Sequence, residues 1–176
     1  MRLTMRQAMI GVGVLWLAII TSITGLHELT LRTGRPILLE TMPVDPRDLF
    51  RGDYVILGYK AGILNLTTLP SDLPHPSYGQ TVYVTLSAGG HFAVPARVSR
   101  QRPQGDNLYL KGRIVSVSGK ELRVAYGIES YFVPEGKGRA LERARGKTLE
   151  VQAVADKSGR AVIKALLLNG QEVRFR

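Results

Sequence analysis

Beyond residue 26 most of the chain alternates apolar and polar positions with a period of two, the spacing of strands that bury one face. "TVYVTLS" from Thr81 and "HFAVPARVS" from His91 are separated by Ala88, Gly89 and Gly90 and read as a hairpin. Pro95 confines the second of these strands to an edge or a bulge, because it has no amide proton for a ladder bond. "NLYLKGRIVSVS" from Asn107 and "ELRVAYGI" from Glu121, joined at Gly119-Lys120, predict a second hairpin, and "TLEVQAVA" and "AVIKALLL" around "DKSGR" a third. Asn169-Gly170 is the pair that a two-residue type I′ turn prefers, and it leads into a last short strand, "QEVRFR". "TLPSDLPHPSYGQ", Thr68 to Gln80, carries three prolines and reads as an exposed connector. One helix is expected in this region, around "GRALERARG" from Gly138, with Gly146 as its C-cap.

The N-terminal stretch breaks the alternation. From Ala8 to Leu26 no residue is charged, and as a helix this run extends roughly 28 Å, near the thickness of a bilayer's hydrocarbon core. A cleaved signal needs a shorter apolar core and a small-x-small site, and Ser22-Ile23-Thr24 is a poor one. An uncleaved signal anchor is therefore expected, which the lipid bilayer surrounds over residues 8–26. Arg2 and Arg6 precede the span with no acid nearby, so the positive-inside bias puts the N-terminus in the cytoplasm and the rest outside it. Two regions follow: residues 1–26 as N-terminus and anchor, and residues 27–176 as an extracytoplasmic domain. The fold class expected is mainly β, a single transmembrane helix followed by an antiparallel barrel or sandwich with one short helix.

Composition narrows the chemistry. The 176 residues carry a formal net charge of +10 and no cysteine, so neither disulfides nor thiolate metal sites are available. The basic surplus is C-terminal: residues 27–96 hold five Lys/Arg against six Asp/Glu, and residues 97–176 hold 17 against eight. Interspersed on strands and outside the cytoplasm, this charge suits a solvated or lipid-facing surface rather than a nucleic-acid patch. His27, His75 and His91 are too scattered for a metal cluster, and no nucleophile elbow, phosphate loop or zinc-helix motif occurs. Neither cofactor nor catalytic residue is expected.

The densest polar feature is "VDPRDLFRGDYVILGY", residues 44–59. Asp45 and Asp48 are placed to accept turn amides, Arg47 and Arg51 stand within reach of both carboxylates, and Gly52 frees the backbone before Asp53 starts a strand. Along that strand Tyr54, Ile56 and Gly58 point one way, and Val55, Leu57 and Tyr59 the other. Paired charges of this kind brace a turn without any ligand. The same residues resemble the motif of the GDYXXLXY family of membrane-anchored bacterial proteins, with Gly52, Asp53, Tyr54, Leu57 and Tyr59 in the named positions. "YGIESYFVPEGKGRALE", Tyr126 to Glu142, is similar to the family's downstream region. The resemblance implies a periplasmic domain on the bacterial inner membrane, and a polytopic membrane protein as partner. In this second segment Tyr131 and Phe132 occupy opposite strand faces, so one must face outward. Glu135 is the carboxylate that pairs with Arg47 or Arg51 if the two segments form one polar cluster.

Three functions compete. A non-enzymatic binding or scaffold module uses the cluster Asp45, Arg47, Asp48, Arg51, Asp53, Tyr54, Tyr59, Tyr131 and Glu135. A membrane-bound hydrolase is suggested because "TMPVDPRDLFRGDYVIL" also resembles the signal peptidase I pattern. There, however, Thr41 stands where that family has serine, and only Lys60 and Lys111 offer a general base. A binder of envelope carbohydrate or polymer would stack sugars on Tyr54, Tyr59, Tyr126 and Tyr131.

Overall fold

A computed structural model describes residues 4–42, 50–51, 54–133 and 149–173. Helix α1 (Met5–Thr33) opens on a capping box, in which Thr4 accepts the Gln7 amide and Gln7 reaches back to the Thr4 amide. At 29 residues it is about 43 Å long, and it continues through position 26 without a break. It is long and apolar enough to cross a membrane, and none of the described residues covers its apolar stretch: Ile10, Leu15, Trp16, Leu17 and Ile20 are all exposed. Thr24, Thr30 and Thr33 return their hydroxyls to the carbonyls four residues back, so these side chains need no outside partner.

The helix ends against the sheet rather than on a free linker. Gly34 has an ordinary extended backbone, so its role is steric: a Cβ there would lie 2.4 Å from Val154 Cγ1 and 2.6 Å from the Thr30 carbonyl. Only glycine admits this approach. Strand β1 (Arg35–Met42) follows at once and pairs with β11 (Leu149–Ala155) from Arg35 opposite Ala155 to Glu40 opposite Glu150. β11 continues to β12 (Ala161–Leu168) and the short β13 (Gln171–Glu172). Asn169 and Gly170 both have positive φ, 50° and 78°, as the type I′ turn requires. β4 (Gly58–Tyr59) completes this sheet beside residues 41–42 of β1.

β2 (Phe50–Arg51), β3 (Tyr54–Ile56) and β10 (Ser130–Phe132) form a three-stranded sheet. The third sheet runs β5 (Ile63–Asn65), β9 (Glu121–Ala125), β8 (Tyr109–Ser118), β6 (Thr81–Gly89), β7 (Phe92–Ser99). A 3-10 turn at Lys60–Gly62 joins β4 to β5, and β1 lies beside β7, so the two large sheets curl into a nearly closed barrel. Leu39, Val55, Leu64, Val82, Val84, Leu110, Ile114, Leu122 and Val151 fill it.

The three hairpins and the mainly-β class agree with the sequence pattern. Pro95 sits on the outermost strand at a register shift, with Thr85 opposite Arg97 and Leu86 opposite Pro95. The connector before β6 does more than link: Ser71 bridges Val98, the Val98 amide donates to the Pro70 carbonyl (3.0 Å), and Asp72 accepts the Arg100 amide (2.7 Å). It thereby covers an edge that would otherwise invite pairing with another chain. The helix expected from Gly138 lies outside the described residues.

Candidate functional site

The two motif segments meet as neighbouring strands. β3 and β10 pair with Tyr54 opposite Phe132, Val55 opposite Tyr131 and Ile56 opposite Ser130, and the Leu57 amide extends the contact to the Glu129 carbonyl (2.8 Å). The expected alternation holds, because Val55, Leu57 and Tyr59 are buried while Ile56 and Gly58 are half-buried. Behind this pairing, the Tyr59 hydroxyl donates to the Ile128 carbonyl and the Tyr126 hydroxyl to that of Ala61, both at 2.5 Å. Glu129 closes the loop by accepting the amides of Tyr126 (2.5 Å) and Gly127 (2.9 Å). Burial first, and the Glu129 charge second, push both phenols far above the ordinary tyrosine range. They are fixed neutral donors that tie the first segment to the second.

This geometry sorts the residues singled out in the sequence. Asp45, Arg47, Asp48, Asp53 and Glu135 lie outside the described residues, and so does the Glu135 pairing with Arg47 or Arg51. Arg51 and Tyr54 are paired strand residues, Arg51 opposite Tyr54 and Tyr54 opposite Phe132, which puts positions 51, 54 and 132 in one cross-strand row. Phe132 is 57% exposed and Tyr131 packs half-buried against the core, so Phe132 is the outward aromatic of the two. Tyr59 and Tyr126 are core residues at 4% and 6% exposure, which leaves neither a face for stacking a sugar.

A second polar group was not legible in the sequence. Glu40 and Glu150 face each other across β1 and β11; Lys60 binds the Glu40 carboxylate at 2.5 Å, but Glu150 Oε2 is buried with no hydrogen-bond partner among the described residues. His91, in the turn before β7, brings Nε2 to 3.5 Å from that oxygen. That is ion-pair distance without hydrogen-bond geometry, so the imidazole offsets the charge only when protonated. Alternation puts position 150 on the face opposite the core-lining Val151, which is why nothing local in the sequence marks the glutamate as buried.

The chain matches the family described as GDYXXLXY protein over residues 16–166, a stretch that contains α1 from Trp16 onward and both joined segments. It belongs to that family. No curated protein and no solved structure matches it.

Within this GDYXXLXY domain two of the three groups that a hydrolase would need are otherwise engaged. The Thr41 hydroxyl donates to the Leu149 carbonyl, Lys60 is held by Glu40, and Lys111 is exposed on β8. Among the described residues no group of three or more His, Asp or Glu side chains is placed to hold a metal ion.

Proposed function

We propose that this GDYXXLXY protein is a non-enzymatic binding or scaffold module, held in the bacterial inner membrane by α1 and presenting its β domain outside the cytoplasm to an integral membrane protein. The observation that carries the reading is the contrast at Gly34. On one side lies a long helix whose apolar residues no other described residue covers, and on the other a domain with its own filled core. Bare apolar surface of this extent calls for lipid or protein around it. Arg2 and Arg6 before the span favour a cytoplasmic N-terminus, and the close seat of Gly34 holds the domain at the end of the helix instead of on a tether. The Thr41 hydroxyl is taken up by the Leu149 carbonyl and Lys60 by Glu40, which supports binding over catalysis.

Crosslinking in intact membranes, followed by identification of the captured proteins, tests the partner. A polytopic membrane protein recovered in stoichiometric amount supports the reading, and a chain that washes out of the membrane with alkaline carbonate overturns it. A reporter active only in the cytoplasm, fused after Arg176, should stay silent.

A further inference from the structure

The end of the domain beside the helix exit carries a cluster of cations that the proposed scaffold role does not use. Arg35 is paired with Ala155, so the β11–β12 turn begins one residue beyond the helix-terminal contact. That turn is built with care. Asp156 Oδ1 accepts the Ser158 amide (2.7 Å) and the Arg160 amide (3.0 Å), and Gly159, at φ 80°, lies flat on Tyr109, where a Cβ would come 2.5 Å from the ring. Its Lys157 carbonyl accepts both the Tyr109 hydroxyl and Arg102, each at 2.6 Å, and the Gly159 carbonyl accepts the Lys111 amide at 2.7 Å.

The result is a rigid ledge on which Arg35, Arg102, Lys111, Lys157 and Arg160 are all exposed beside the end of α1, which adds Arg32. Three carboxylates answer these six cations: Glu28 pairs with Arg32, Asp106 with Arg35 and Asp156 with Arg160. Arg102, Lys111 and Lys157 have no carboxylate partner among the described residues. From Leu26, where the uncharged run ends, to Thr33 is about 10 Å along the helix axis, comparable to the depth of a headgroup layer and to one Debye length.

We infer that this ledge is a binding surface for the phosphates of anionic lipid headgroups in the bilayer that α1 crosses. The assignment rests on the anchor reading. Its physical basis is a net surplus of three positive charges held at headgroup height by a turn with no freedom to withdraw them. Lipid phosphate is the occupant of choice over a soluble polyanion because the helix delivers the ledge to the membrane surface and not into the solvent.

The chain has no cysteine, so single labels are clean. The full chain carrying Gln104→Cys, beside the ledge, or Ser118→Cys, at the far end of β8 and roughly 30 Å away along that strand, is labelled with a fluorophore. Each is placed in nanodiscs of phosphatidylcholine alone or mixed with phosphatidylglycerol, with a headgroup-borne quencher. Quenching at position 104 should be strong in the anionic discs, weak in the neutral ones and reversed by high salt, while position 118 stays unquenched in all. Lys111→Ala with Lys157→Ala should abolish the lipid dependence, and Lys111→Arg with Lys157→Arg should restore it, at unchanged melting temperature. Equal quenching at 104 in both discs, or dependence that survives the alanine pair, overturns the headgroup site while leaving the anchor intact. Failure of the chain to enter discs of either kind overturns the anchor reading itself.

Discussion

Two regions of this domain bury polar groups, and they do it in opposite ways. Around the 3-10 turn, Tyr59, Tyr126 and Glu129 each find partners: two hydroxyls meet two carbonyls and one carboxylate meets two amides. At the β1–β11 pair, Glu150 carries a carboxylate oxygen that no donor among the described residues reaches, with the exposed His91 at ion-pair distance. A satisfied buried network stabilises and specifies, whereas an orphaned charge costs desolvation free energy. The first region therefore has the character of a structural joint. The second is a place where stability has been given up, and where substitutions should gain rather than lose.

Alkali should break this contrast most strongly. Both phenols are held above the ordinary tyrosine value in the folded state, so their contribution is fully present below the unfolded value of about 10 and declines as pH rises beyond it. With two groups, stability measured by urea denaturation should fall by about 2 kcal/mol between pH 10 and pH 11, since the unfolded phenols are only half ionised at the start of that interval. A flat profile there would mean that the phenols are not locked as donors. Tyr126→Phe comes next. It leaves the Ala61 carbonyl without its donor and should cost about 2 kcal/mol at neutral pH, while roughly halving the alkaline slope.

Glu150→Gln should move the other way. Replacing a buried carboxylate that has an oxygen without a hydrogen-bond partner among the described residues with a neutral amide should raise stability by about 1 kcal/mol, and a destabilised variant would show that the oxygen has a partner after all. Asp156 at the opposite end of β11 gives the smallest effect and the sharpest control. Burial acts to raise its pKa, but hydrogen bonds from Ser158 and Arg160 outweigh this and hold it below the ordinary value. Its contribution is thus present above the unfolded value of about 3.9 and is lost as pH falls through the lower folded one. Asp156→Asn should lose under about 1 kcal/mol at neutral pH and flatten that acid limb.

Much of the fold was legible along the chain because its signals are local. The uncharged run after Ala8, the period of two through β6, β8 and β11, the displacement of Pro95 to the outermost strand and the turn at Asn169-Gly170 each depend on backbone geometry within a few residues. The same alternation put Val55, Leu57 and Tyr59 on one face of a strand, and the fold made that face the buried one. What no local pattern carries is which remote segment crosses an outer face. Glu150 is on the face that alternation assigns to solvent, and it is buried only once other parts of the fold are laid over that face. Gly34 reads as an ordinary helix stop until Val154, 120 positions away, fills the space that a Cβ would need. The bonds from Tyr59 to Ile128 and from Tyr126 to Ala61 each span more than 60 residues. Sequence alone thus determined the elements and their inward faces, since those follow from the 2.0 and 3.6 residue periods. Tertiary structure decided which polar groups are satisfied, because a hydrogen bond needs its partner within about 3 Å and only the closed fold brings distant carbonyls that near.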